Sequence, residues 1–264
     1  MPVSRTVAAS ALLSLLASSS ARAEEPLPLA PVPRFAIAPS PVGLRGDVRP
    51  RQYLGVVGPR SAWLGAETGE AELWVHPLKL ASGFSLSFRV PEYVDPVRGA
   101  DVARTVEVRP EATTITYSHA TFTVRQHVLA PLDEPALLVL LEVDTCRPLE
   151  IVASFRTVLQ YAWPGGLGGQ YAFWSADDRA FVLSESLRTR NAFVGSPWAS
   201  SASSQPAHAL PDAPSAFTIP IDPARASREM VPIAIAAGTG PRADTAAVYR
   251  RVLSSAAGLY AARR

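Results

Sequence analysis

RTVEVRPEATTITYSHATFTVRQHVLAPLDEPALLVLLEVDTCRPLEIVASFRTVL, residues 104–159, decides the fold class. Thr105–Arg109 and Thr113–Tyr117 read as strands parted by a Pro110-Glu111 turn. In Thr121–Leu129, Phe122, Val124 and Val128 share one face, while Thr123, Arg125 and His127 share the other. That period of two is a strand with one buried face. Ala136–Val143 is apolar throughout, as a strand buried on both faces would be. Leu149–Leu159 follows Pro148. Five strands joined by short turns predict an antiparallel meander and not βαβ units.

The flanks extend the same pattern. Upstream, Tyr53–Val57 is a short strand closed by Gly58-Pro59. Trp63–Leu80 holds turns at Gly65 and Gly69 and a strand through Leu73, Val75 and Leu78. Gly83 precedes a strand that places Phe84, Leu86, Phe88 and Val90 on one face, and Pro91 ends it. Downstream, Phe181–Leu183, Phe217–Ile221 and Val231–Ala237 supply later strands, with a polar surface loop expected over Ser196–Ser215. The period then changes. Val248, Tyr249, Val252, Leu253, Ala256, Leu259 and Tyr260 recur at helical spacing, which predicts one amphipathic helix whose apolar face needs a partner.

The predicted organisation is a signal peptide over residues 1–23, a Pro-rich linker over 24–41, a β-sandwich domain over 42–240 and an amphipathic linker helix over 241–264. The leader has Arg5, the short apolar run Val7–Ala17 and the small-x-small site Ala21-Arg22-Ala23, which implies export to the periplasm or outside the cell. No cysteine follows the cleavage site, and no later run is long enough to span a membrane. Hydrophobic residues at 48% against 18% charged exclude global disorder. Without the two leader arginines the chain has 23 basic and 23 acidic residues, so nothing favours nucleic acid as a partner. Cys146 is the single cysteine, which rules out an internal disulfide.

Few residue patterns carry chemistry. The stretch WPGGLGGQYAFW (Trp163–Trp174) lacks the Lys-Ser/Thr of a phosphate loop. It reads as a sugar-facing loop or as ordinary aromatic packing, and a close backbone approach fits both. In the first reading Tyr161, Trp163, Tyr171 and Trp174 stack on sugar, Gln170 bonds hydroxyls, and Gly165 and Gly166 let the backbone approach. His76, His119, His127 and His208 have no metal-ligand spacing, so neither metal nor cofactor is expected. Glu70 and Glu72 share a strand face and read as a solvated edge more than a catalytic pair, with Glu67 and Glu185 undecided. No catalytic residue is assigned.

Several of these stretches together resemble a known arrangement. WLGAETGEAELWVHPLKL, VRQHVLAPLDEPALLVLLEVDTCRPLEI and YAWPGGLGGQYAFW, with LSES and Gly195–Pro197, resemble the N-terminal β-sandwich of bacterial glycogen-debranching-enzyme-like (α/α)6-barrel glycoside hydrolases. YRRVLSSAAGLYAARR resembles the linker helix that leads into the barrel. The resemblance implies an all-β, two-sheet antiparallel supersandwich of the galactose-mutarotase type. It implies a non-catalytic role beside a barrel encoded downstream or separately, contact with α-glucan carbohydrate, and self-association through the unpartnered helix. Two other readings stand beside it: a free-standing carbohydrate-binding module, and a mutarotase-like enzyme using a His and a Glu.

Overall fold

The computed structural model describes residues 31–38, 40–91, 93–163, 165–204 and 213–263. The leader over residues 1–23, most of the Pro-rich linker and residues 205–212 of the Ser-rich loop, with His208, lie outside them.

The chain enters through β1 (Val32–Pro33), β2 (Leu44–Asp47), β3 (Tyr53–Val57), β4 (Ser61–Ala66), β5 (Ala71–Val75) and β6 (Leu78–Arg89). After β7 (Val97–Arg98) and the short helix α1 (Gly99–Val102) come β8 (Ala103–Val108), β9 (Thr113–Ser118), β10 (Phe122–Leu129), β11 (Ala136–Thr145) and β12 (Leu149–Tyr161). Then follow β13 (Tyr171–Ser175), β14 (Ala180–Ser184), β15 (Arg190–Gly195), β16 (Ser201–Ala202) and β17 (Ser215–Ile221). Helix α2 (Pro223–Ala226), β18 (Glu229–Thr239), α3 (Arg242–Ser254) and α4 (Ala256–Ala261) complete the described chain.

The fold is all-β, with two antiparallel sheets face to face. The larger runs β13-β14-β15-β18-β11-β10-β9-β8-β2, with β1 also on β18. The smaller runs β16-β17-β12-β6-β5-β4-β3, with β7 on β6. The meander expected from residues 104–159 is therefore four strands and not five. Strands β8 to β11 stay together, while β12 crosses to the other sheet and pairs with β6 and β17. The reason lies in its side chains. Leu149, Ile151, Ala153 and Phe155 face the core, but the alternate residues are polar or half-exposed. A strand with one wet face belongs in the sheet whose outer side is open.

The core between the sheets is bridged by aromatic pairs. Phe88 of β6 meets Phe122 and Tyr117 of the larger sheet at 4.7 and 5.5 Å, and Phe155 of β12 meets Phe181 edge-on at 5.8 Å. The Tyr117 hydroxyl donates to the buried Gln126 Oε1 at 2.9 Å and touches the β4–β5 turn. Gly69 is obligatory there. Its φ is +94°, and a Cβ would lie 1.9 Å from the Tyr117 oxygen. Gly83 does not start a strand, as the sequence suggests. It sits inside the twelve-residue β6 at φ +62°, beside register shifts on both neighbouring strands, so it carries a bulge through which the strand continues.

Strand β11 confirms the reading of a doubly buried run. Leu137, Val139, Leu141 and Val143 face the smaller sheet, while Ala136, Leu138 and Leu140 face the helices. Pro232 is tolerated in β18 beside it. The residue opposite it is Leu140, and on its other side β18 passes from β15 at Ala234 to β1 at Met230, so no ladder needs its missing N–H.

The C-terminal segment departs most from its sequence reading. It is two helices, broken at Ser255, and not one. Their apolar face is not left for a partner. Ala246, Tyr249, Val252, Leu253, Ala256 and Tyr260 pack on Leu129, Leu138, Phe193 and Ala234 of the larger sheet. Polar clamps hold them there: Arg250 to the buried Asp178 at 2.8 Å, and Arg251 to Glu134 at 2.6 and 2.8 Å. The surface on which self-association was expected is thus internal. The loop after β15 departs as well, since Trp198 and Ala199 join the core and Arg225 lies 3.7 Å over the Trp198 ring.

If the helices are part of this core, Leu138→Ala will cost about 2–5 kcal/mol in urea denaturation. Leu187→Ala, at an exposed turn, will stay within about 0.5 kcal/mol. A Leu138→Ala cost as small as the second would mean that the helices do not pack on the sheet.

Candidate functional site

Strand alternation sorts the aromatic stretch into two populations. Trp174 points inward, edge-on to Phe181 at 5.2 Å and stacked on Phe217 at 6.1 Å. Ala172 also packs on the inner core. Tyr171 and Phe173, two residues apart on the edge strand β13, share the other face and stack on each other with centroids 6.2 Å apart. Arg242 at the start of α3 lies 5.4 Å over the Phe173 ring. Trp163 is 86% exposed. Phe173 was not among the residues singled out in the sequence, although the same alternation that groups it with Tyr171 sends Trp174 to the core.

The other residues of the stretch serve as scaffold. Gln170 Nε2 donates to the carbonyls of Leu159 and Leu167 at 2.6 and 2.9 Å, closing the loop on itself. Tyr161 packs against the core, and its hydroxyl accepts from Arg190 Nε. Gly165 and Gly166 have φ of +87° and +62° with open space around them, so they set the loop's path and do not allow a close contact. The structure thus brings Tyr171 and Phe173 together as outward aromatic surface, leaves Trp163 exposed in the loop before them, and uses Trp174, Tyr161 and Gln170 as scaffold.

The acidic residues are mostly committed elsewhere. Glu67 accepts from the Arg49 side chain at 3.0 Å and from its backbone N–H at 2.7 Å. Burial pushes its pKa up, but these contacts prevail and hold it below the usual value. Glu72 binds Lys79 at 2.5 Å and Trp74 Nε1 at 3.0 Å. With Glu70 it lines an open groove of about 680 Å³ on the outer face of the smaller sheet, alongside Arg156, Ser82 and Ser154. Glu185 is 3% exposed and organises the β14–β15 turn. It accepts from the N–H groups of Leu187, Thr189 and Arg190 at 2.6, 2.7 and 3.1 Å, and from the Thr189 hydroxyl at 2.9 Å.

His127 and Glu142, on neighbouring strands of the larger sheet, bring the imidazole Nε2 and Oε2 to 3.5 Å. A gap of 3.5 Å leaves no width for a sugar ring, so this pair does not make the flanking arrangement a mutarotase-like enzyme needs. Among the described residues, no group of three His, Cys, Asp or Glu is placed to hold a metal ion. No helix among them is long and apolar enough to cross a membrane.

A scan of the sequence against protein-family models and a search of the curated proteins give no match. Among solved structures, the chain is similar to a bacterial glucoamylase complexed with acarbose. The TM-score is 0.51 at 8% identity, over 86% of this chain and 40% of that one. The likeness is one of fold. The chain spans about two fifths of the length of that glucoamylase.

Glu185 makes the turn beside the aromatic edge sensitive to acid. Burial raises its pKa, but the three backbone donors and the Thr189 hydroxyl more than offset this, so the folded value is lowered. Its stabilisation is complete above the ordinary carboxylate range and is lost as pH falls through the lower folded value. Glu185→Gln will cost about 1–2 kcal/mol at neutral pH. The difference from the parent chain will shrink below about pH 4 in pH-resolved thermal melts.

Proposed function

We propose that this chain is a carbohydrate-associated β-sandwich domain, exported through its leader and non-catalytic by itself, which acts beside an (α/α)6 barrel in a glucan hydrolase. The observation that carries the reading is the fold it shares with a bacterial glucoamylase, a structure complexed with acarbose. The side chains agree with it. Glu67 and Glu72 are tied to cations and Glu185 to backbone N–H groups, which suits residues that hold the scaffold. In this reading the two helices mount the sandwich and hand the chain on to the barrel.

A second reading, a carbohydrate-binding module acting alone, is favoured by one feature: the outward rings of Tyr171 and Phe173 on the edge of the larger sheet, with Trp163 exposed in the preceding loop. Flat, partly exposed rings with Arg242 beside them suit stacking on a sugar face.

Both readings are open to direct test. The purified mature chain will release no reducing sugar from glycogen, starch or maltooligosaccharides. Hydrolysis that co-elutes with the chain and is missing from a mock purification without it would end the non-catalytic reading. In affinity electrophoresis, retardation on α-glucan that weakens about tenfold or more in a Trp163→Ala/Phe173→Ala variant supports binding at the aromatic edge. Trp174→Ala instead will lower stability by about 3–5 kcal/mol, as expected of a packed ring. Absence of retardation on any glycan would remove the binding-module reading and leave the mounting role.

A further inference from the structure

The outer face of the larger sheet is divided. One half is apolar and lies under α3 and α4. The other half is polar and holds a small pocket of about 220 Å³ that the carbohydrate reading does not use. The strand register builds its floor. Arg45, Glu107, Thr114 and His127 sit directly opposite one another across β2, β8, β9 and β10. Thr105, Thr116, Arg125 and Glu142 form the adjoining row. Ile37, on the N-terminal segment that crosses this face, supplies a wall. That segment is tied down by Arg34 on Asp144 at 2.8 Å, by Arg109 donating to the Ala38 carbonyl at 2.7 Å, and by Phe35 on the Tyr260 ring.

The charges here nearly cancel, and the remainder is informative. Glu107 is taken by Arg109 at 2.6 Å, and Glu142 and Asp144 by Arg125 at 3.3 and 2.7 Å. Among the described residues nothing pairs with Arg45 at the mouth of the pocket. The lining holds three arginines against two glutamates, which leaves one positive charge unmatched. At the floor, His127 is 3% exposed, its Nδ1 lies 2.8 Å from the Thr114 hydroxyl, and its Nε2 has no hydrogen-bond partner. A buried polar atom left unpaired costs about 1–3 kcal/mol. Glu142 Oε2 stands 3.5 Å away, beyond the range of a good hydrogen bond. A single hydroxyl oxygen placed about 2.8 Å from each atom would satisfy Nε2, accepting from its N–H and donating to the carboxylate.

We propose that this pocket binds a small hydroxycarboxylate, its hydroxyl seated between His127 and Glu142 and its carboxylate at Arg45. The volume is that of about seven water molecules, which admits a short hydroxy acid and excludes an oligosaccharide. Thr105 and Thr116 offer further hydroxyls along the way. The site is separate from the aromatic edge, so its fate and that of the carbohydrate reading are independent.

The test is calorimetric titration of the intact folded chain with lactate and with gluconate, beside acetate and glycerol as the two half-ligands. At least one hydroxycarboxylate will bind saturably, and about tenfold or more tighter than either half-ligand. Arg45→Ala, an exposed change on an edge strand, will abolish binding while the circular dichroism spectrum stays unchanged. In ¹⁵N spectra of imidazole-labelled protein, the ligand will shift the His127 Nε2 resonance and leave His76 in place. No saturable binding of either acid up to about 50 mM would overturn the proposal. So would binding indifferent to Arg45→Ala, acetate bound as tightly as the hydroxy acids, or an unmoved His127 resonance.

Discussion

The burial of β11 on both faces is the constraint on which the rest of this structure depends. Leu137, Val139 and Leu141 need a second sheet on one side, and Leu138 and Leu140 need cover on the other. An apolar strand at the centre of a sheet cannot be left half wet, because each exposed leucine forfeits about 1.5–3 kcal/mol of transfer free energy. The smaller sheet answers the first demand and the two C-terminal helices the second. The helices are thus a third layer of the fold and more than a connecting piece.

That third layer is incomplete, which gives the molecule its chemistry. It covers β18, β15 and the near part of β11, then stops. Beyond it β8, β9 and β10 present threonine, arginine, glutamate and histidine to a face that the N-terminal segment crosses at Ile37. Polar residues occupy this part of the sheet because the apolar helices stop short of it, and their register on neighbouring strands makes them a cluster. On the opposite edge, β13 has a neighbour on one side only, so its outward rings remain available. The two candidate surfaces come from the two places where the layering ends.

Much of this was legible in the residues. The strict alternation of Thr121–Leu129 placed Arg125 and His127 on one polar face, where the structure has them. The unbroken apolar run from Ala136 announced a strand buried twice over. Local pattern could not say that Glu142 would sit opposite Arg125 and within 3.5 Å of His127, since that pairing depends on the β10–β11 register. It also grouped Trp174 with Tyr171 by kind, where the pleat separates them by face.

The sequence by itself determined that this protein is built of antiparallel strands, because a period of two is written into single segments and needs no knowledge of their partners. It determined which face of each regularly alternating strand meets a core, and that the last segment is helical with one apolar stripe. Only the tertiary structure decided which sheet each strand joins, as with β12, because that choice balances the exposure of a strand's second face against all others. Only it decided that the helical stripe is met within the chain, because an apolar stripe records a need for cover and not the identity of what supplies it.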